Sequence, residues 1–163
     1  MNSANLFSQS QATAKGTVKL LVFPIGSLNS ALSIDTVQKV VNYSNITSSG
    51  LTHYGLVNIE GKEITVIDLH QKLFNTPEEL TAEDKKYLLL SQNSRGETFG
   101  ILIKNSPELY DVAVENIRKL PSSYRKADTL KIASHVFLME SDPESEEKKT
   151  VFILDPDELI LSN

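Results

Sequence analysis

Apolar residues in this chain form short runs with alternating polar positions, and polar or glycine-containing segments separate the runs. The clearest pattern lies at residues 55–74, where two apolar runs flank a tight turn at residues 60–62. Ile64 and Val66 share one side of the second run, while Ile67 falls on the other side. A strand that is apolar on both sides is expected to be buried on both sides. This segment is therefore predicted to lie at the centre of the core.

Similar runs elsewhere in the chain predict further short strands. They cover residues 17–25, two strands within 31–43 bent at 35–36, and residues 86–91, 98–104, 109–114, 117–120, 130–139 and 150–154. Turn signals at close spacing between such runs are typical of barrels and sandwiches. No segment has the longer helical pattern that alternating strands and helices would require. The predicted fold class is all-β.

Helix signals are limited to single turns. A turn of helix is predicted at residues 68–74, after the paired strands. Residues 76–79 (TPEE) carry a capping-box pattern with proline at the first helical position, which predicts a second turn. Asp155 followed by Pro156 predicts a short helix near the end of the sequence.

The chain is predicted to form one domain with two lobes over residues 17–163. A flexible tail rich in Ser, Gln, Asn and Ala is expected at residues 1–16. A polar connector near residues 75–85 is expected to separate the chain into halves. A long acidic loop is predicted at residues 141–149.

The composition excludes several classes of function. The 16 Lys and Arg residues against 21 Asp and Glu leave a formal net charge of −5, which does not favour nucleic acid or anionic lipid. The chain has no cysteine, so disulfides, Cys-ligated zinc and thiolate catalysis are excluded. No run approaches the ~18 apolar residues that a membrane helix needs, and the first residues lack the pattern of a secretory signal. We expect a cytoplasmic protein without direct membrane insertion.

The sequence lacks the spacings and motifs that metal sites and catalytic sites require. His53, His70 and His135 do not stand at metal-ligand spacing, and the glycine-rich and nucleophile motifs of nucleotide-binding and acyl-transfer enzymes are absent. Paired carboxylates occur only in highly charged segments, where solvent would prevent the pKa shifts that acid–base catalysis needs. We predict no catalytic residue, no metal site and no cofactor. A β protein with many strand edges is expected to bind other proteins.

Six short segments occur in an order that is typical of a known family. They are LLVF at 20–23, IDTVQ at 34–38, GLVNIEG at 55–61, ITVIDL at 64–69, FGILI at 99–103 and VFILDPDELI at 151–160. Together they resemble the CheW-like domain of bacterial chemotaxis coupling proteins. That family has a G-x-x-N-L-R-G turn, an apolar run ending in D-L, a V-G-I-x-V strand and an I-L-L-D-x-x-x-L-L terminus. The resemblance covers residues 17–163.

The resemblance implies two five-stranded SH3-like β-barrels packed around a shared apolar seam, with short helical turns and a short C-terminal helix. It also implies a non-catalytic adaptor in a chemotaxis-like system, for example one that controls surface motility. The implied partners are the regulatory domain of a CheA-type histidine kinase and the cytoplasmic tip of a methyl-accepting chemoreceptor. The receptor's helical hairpin would lie in a groove between the lobes.

The family motifs assign candidate binding residues to this sequence. The receptor-groove candidates are Val37, Lys39, Gly55, Asn58, Glu60 and Gly61. The kinase-binding candidates are Gly100 and Ile101.

Two of these positions depart from the family pattern in opposite senses. Glu60 stands where the family turn has arginine, and Lys39 stands where the first strand pair commonly has glutamate. We predict that Lys39 and Glu60 form an ion pair of reversed polarity that affects the choice of partner. Independent drift of two exposed positions is the alternative explanation.

Two further functions stay open on the sequence alone. The first is a CheW-like scaffold or regulator that no longer couples a receptor array. The second is a β-barrel enzyme or nucleic-acid-binding protein outside this family. Binding to the kinase's regulatory domain would separate the adaptor from the first alternative, and salt-dependent nucleic-acid binding would favour the second.

Overall fold

The computed structural model describes residues 16–43, 54–125, 131–140, 144 and 147–160. The strands in these ranges are β1 (Thr17–Ile25), β2 (Leu28–Ser33), β3 (Val37–Asn42), β4 (Tyr54–Ile59), β5 (Lys62–Ile67), β6 (Lys86–Gln92), β7 (Thr98–Lys104), β8 (Glu108–Ala113), β9 (Arg118–Lys119), β10 (Ala133–Glu140) and β11 (Lys148–Leu154). The short helices are α1 (Leu69–Phe74), α2 (Ser122–Arg125) and α3 (Pro156–Leu159), with 3-10 turns at Ile34–Thr36 and Val114–Asn116. The all-β prediction is confirmed.

The strands form two curled sheets, and the strands of one sheet lie in sequence between the two parts of the other. The first sheet has the strand order β8-β1-β2-β11-β10-β9, so it combines both ends of the described chain. The second has the order β3-β6-β7-β5-β4 and comes from the middle. The polar segment predicted as a connector at residues 75–85 runs from α1 to β6, and the strands on both of its sides belong to the second sheet.

The core consists of three apolar clusters, one within each sheet and a central one between the two sheets, and several strands contribute to two of them. In β5, Ile64 and Val66 pack into the core of the second sheet. Ile67, on the opposite face, packs into a central cluster that also contains Phe23 of β1 and Leu154 of β11. The predicted two-sided burial of β5 is confirmed. This central cluster is the shared apolar seam, because strands of both sheets bury one face in it.

Two of the three helical turns predicted from the sequence are present, as α1 and α3. Asp68 caps α1, its carboxylate accepting a hydrogen bond from the Gln71 N–H at 3.1 Å. Asp155 caps α3, and Pro156 occupies its first turn. The helical turn predicted at residues 76–79 is wrong, because these residues form no helix.

The side chain of Glu78 explains the failure of that prediction. Its carboxylate accepts a hydrogen bond from the Gly26 N–H in the β1–β2 turn at 3.0 Å. It also lies 4.0 Å from Lys104 Nζ at the end of β7. The segment is therefore held in an irregular conformation by contacts to both sheets, and local capping preferences do not decide its structure.

Some predictions concern residues outside this description. The tail predicted at residues 1–16 lies outside the described residues except for Gly16, and the acidic loop at 141–149 lies mostly outside them. In the described part of the chain, no helix is both long enough and apolar enough to cross a membrane.

Candidate protein-binding site

The turn between β4 and β5 has a backbone conformation that few residues adopt. Ile59 and Lys62 are paired across it, and the two central residues, Glu60 and Gly61, have φ values of 52° and 82°. Positive φ at both positions defines the type I′ hairpin turn, which favours Asn-Gly over Glu-Gly. The Asn58 side-chain oxygen accepts a hydrogen bond from the Gly61 N–H at 3.2 Å and so fixes the turn.

Glu60 forms an ion pair with a residue at the other edge of the same sheet. Lys39 Nζ donates a hydrogen bond to Glu60 Oε1 at 2.7 Å, so the predicted pair is confirmed. Lys39 belongs to β3, and Glu60 follows β4; these are the two edge strands of the second sheet. The side chains are 42% and 77% exposed, so solvent screens their attraction and a partner protein can reach both charges.

Lys39 also changes the acidity of Glu60. The hydrogen bond from Lys39 is the main cause that lowers the pKa of the Glu60 carboxyl, and the positive charge of Lys39 adds to it. A weaker contribution comes from Lys62 in the same turn. Glu60 is therefore held in its charged form, and the surface presents a fixed positive and negative group side by side.

The remaining receptor-groove candidates lie at different distances from this pair. Asn58 and Gly61 belong to the same turn. Gly55 lies toward the other end of β4, where it is paired with Val66. Val37 precedes a bulge in β3 and is half-buried against the central cluster, so only part of its side chain can be reached.

Leu56 is a residue of this surface that the sequence motifs missed. It alternates with the buried Val57, shares its face of β4 with Asn58, and is 43% exposed. The signal was present in the alternation of β4, because inward Val57 and Ile59 leave Leu56 on the outward face. An exposed leucine on the strand that leads to the charged pair is suited to contact an amphipathic helix.

The two kinase-binding candidates are not on the surface. Ile101 is fully buried in the central cluster. Gly100 is buried on the opposite face of β7, where an added Cβ would lie 2.8 Å from Leu88 Cδ1. Neither residue can contact a partner directly, since both faces of β7 are covered at this point. Their role in this structure is packing.

Comparison with known proteins agrees with this architecture. The model of the CheW-like domain family matches residues 19–163. The crystal structure of the scaffolding protein TtCheW from Thermoanaerobacter tengcongensis superposes with a TM-score of 0.71 at 18% sequence identity, covering 90% of each chain. At this identity the superposition establishes a common fold. No curated protein matches the sequence.

Proposed function

Because the chain belongs to the CheW-like domain family, we propose that it is a non-catalytic adaptor of a chemotaxis-like signalling system. It couples the cytoplasmic tip of a methyl-accepting chemoreceptor to the regulatory domain of a CheA-type histidine kinase, and it therefore works in the cytoplasm. The structural relative with the same fold is described as a scaffolding protein. Membership of this family argues against the alternative of an enzyme or nucleic-acid-binding protein outside it.

Within this proposal, the observation that bears on receptor binding is the ion pair between Lys39 and Glu60. Both residues occupy positions that the family resemblance assigns to the receptor groove, and their contact at 2.7 Å keeps two opposite charges at that surface. Exposed Leu56 lies in the strand that leads to the same turn and supplies an apolar contact. A helical hairpin from a receptor would pack its apolar positions on Leu56 and place its charges against the pair.

The reversed polarity of the pair selects the partner. The family commonly places glutamate in the first strand pair and arginine in the turn, whereas this chain has Lys39 and Glu60. A receptor tip that matches the common arrangement would bring like charges together here, which disfavours binding. We therefore propose that the cognate receptor carries the complementary, exchanged charges. Gly100 and Ile101 do not enter this proposal as kinase contacts, because they are buried.

The test measures binding of the full chain to two purified fragments encoded in the same genome. One is the helical tip of the receptor, and the other is the regulatory domain of the kinase. We expect saturable binding to both. No binding to either fragment at tens of micromolar concentration would favour the alternative, a CheW-like scaffold that no longer couples an array.

A charge exchange then tests the role of the ion pair. The variant Lys39→Glu with Glu60→Arg keeps a pair but restores the common polarity, and we expect weaker binding to the cognate receptor tip. The matched control exchanges Lys19 and Asp111, an ion pair of 2.9 Å and similar exposure on the first sheet. Equal effects of the two exchanges would contradict a role of the Lys39–Glu60 pair in receptor choice.

A further inference from the structure

The first sheet contains a gap between two of its strands. Strand β9 is only two residues long and pairs with His135 and Val136 of β10. Beyond this point, residues 137–140 of β10 face residues 110–113 of β8 across a cavity of about 520 Å³. We call this gap the slot. Among the described residues, one end is closed by β9 and the turn that precedes it, and the other end is lined by Glu140 and Lys148.

Both long sides of the slot are strand edges. Residues 137–140 of β10 pair with β11 on one side only, and β8 pairs only with β1 among the described strands. Each edge therefore presents backbone N–H and C=O groups for which the described residues supply no strand partner. Four residues of β10 span about 13 Å, which is the length of a short strand segment.

The floor of the slot is apolar. Phe137 and Val112 are buried in the core of the first sheet, and half-buried Tyr110 and Met139 pack against the same core. Leu138 lines the cavity and is 58% exposed. Successive residues of a strand point to opposite faces. An inserted strand would therefore cover the core-facing side chains with one set of alternate residues, and with the other set it would lie beside Leu138 on the outward face of β10.

Of the charged side chains that line the slot, Arg118 has no ionic partner among the residues that the structure describes. Asp111 is paired with Lys19 at 2.9 Å, and Glu140 lies 4.0 Å from Lys148. Arg118, in β9 at the closed end, lines the cavity and forms no ion pair within the described residues. The closed end is therefore suited to bind an acidic group.

We propose that the slot binds an extended peptide segment of a partner protein, which adds to the first sheet as a strand. The segment continues the line of β9 and so runs antiparallel to β10, with its carboxyl-terminal end at Arg118. It carries apolar side chains at alternate positions and an acidic group at that end. This site lies on the first sheet, away from the receptor-groove candidates of the second sheet, and it does not depend on the proposed receptor coupling.

The test selects peptides from a random library displayed on phage against the full-length chain. We expect the selected peptides to alternate apolar and polar residues and to end in an acidic residue. Substituting Arg118→Glu should weaken their binding about tenfold or more. Leu138→Ser should also weaken it, whereas Leu109→Ser, at a similarly exposed leucine outside the slot, should not.

Amide hydrogen exchange distinguishes strand addition from adhesion to an apolar surface. Alternate amides of residues 137–140 already bond to β11, so the readout is the amides of this segment that point into the slot, and their exchange should slow when a selected peptide is bound. If the selected peptides bind the Arg118→Glu and Leu138→Ser variants with the same affinity as the native chain, the proposal is overturned. A selection that enriches no peptide also overturns it. Slow exchange of the slot-facing amides without peptide, or dimerisation of the chain through the slot, would assign the slot to another occupant and also overturn the proposal.

Discussion

Lys39 Nζ and Glu60 Oε1 lie 2.7 Å apart, although β3 and β4 are the opposite edge strands of the second sheet. Three strands separate these edges within the sheet, so the two residues can meet only because the sheet curls on itself. The ion pair thus connects the two edges of a nearly closed barrel. It joins two exposed charges at the surface that the family resemblance assigns to the receptor.

We expect the pair to be visible in the titration of Glu60. The hydrogen bond from Lys39 lowers the pKa of this carboxyl from the ordinary value of 4.5, and Lys39→Gln should raise it again. A lowered folded-state pKa stabilises the protein above the unfolded-state pKa, and this stabilisation is lost as the pH falls through the folded-state pKa. NMR titration of the Glu60 side chain in both proteins measures the shift. An unchanged Glu60 pKa in Lys39→Gln would contradict the contact.

Asparagine in place of Glu60 should make the turn between β4 and β5 more stable. Its φ of 52° is unfavourable for glutamate, whereas asparagine tolerates this region and suits a type I′ turn. Because Glu60 also forms the ion pair, the substitution Glu60→Asn is compared in the Lys39→Gln background, where the pair is already lost. We expect a higher urea midpoint for Lys39→Gln with Glu60→Asn than for Lys39→Gln alone. A lower midpoint would show that the turn does not strain residue 60.

Gly100→Ala should destabilise the protein by about 1–3 kcal/mol, because the added methyl group would overlap the Leu88 side chain. Urea unfolding measures the loss. Leu88→Ala serves as the partner variant, with an expected cost of about 2–5 kcal/mol when introduced alone. The double variant should lose less than the sum of the two, since the smaller residue 88 leaves room for the methyl group. Strict additivity would contradict the overlap.

Glu78→Ala should destabilise the protein by about 1–3 kcal/mol. Its side chain is only 13% exposed, and its charged carboxylate accepts the hydrogen bond from Gly26, so the substitution removes a charge-assisted hydrogen bond. The neighbouring Glu79 is exposed, and Glu79→Ala is expected to change stability by less than about 0.5 kcal/mol. Thermal unfolding of both variants gives the comparison. Similar unfolding temperatures for the two would rule out the structural role of Glu78.

The central part of the fold could be predicted because its signals are local. The alternation of β5 indicates burial on both faces, and Ile64 and Ile67 do pack into different clusters. The caps of α1 and α3 are likewise local, since Asp68 and Asp155 bond to residues two or three positions away. The ion pair was predicted in a different way, from two charged residues that depart from the family pattern in opposite senses.

Other features depend on contacts between distant segments. The capping box at residues 76–79 failed because Glu78 bonds to Gly26, 52 residues earlier in the chain. Gly100 and Ile101 match a family strand, but a motif does not reveal that both faces of that strand are covered. The slot has no signature in the sequence, because it arises where β8 and β10 face each other without a complete strand between them.

The sequence by itself determined which strands are apolar on two faces, where the chain turns and which charges are exchanged. These properties depend on the period of side chains along a strand and on a few neighbouring residues. Only the tertiary structure decided that the second sheet curls until its opposite edges meet, that Glu78 links the two sheets, and that the first sheet leaves a slot. The physical reason is that the curl of a sheet, set by the packing of all its strands, determines which edges meet.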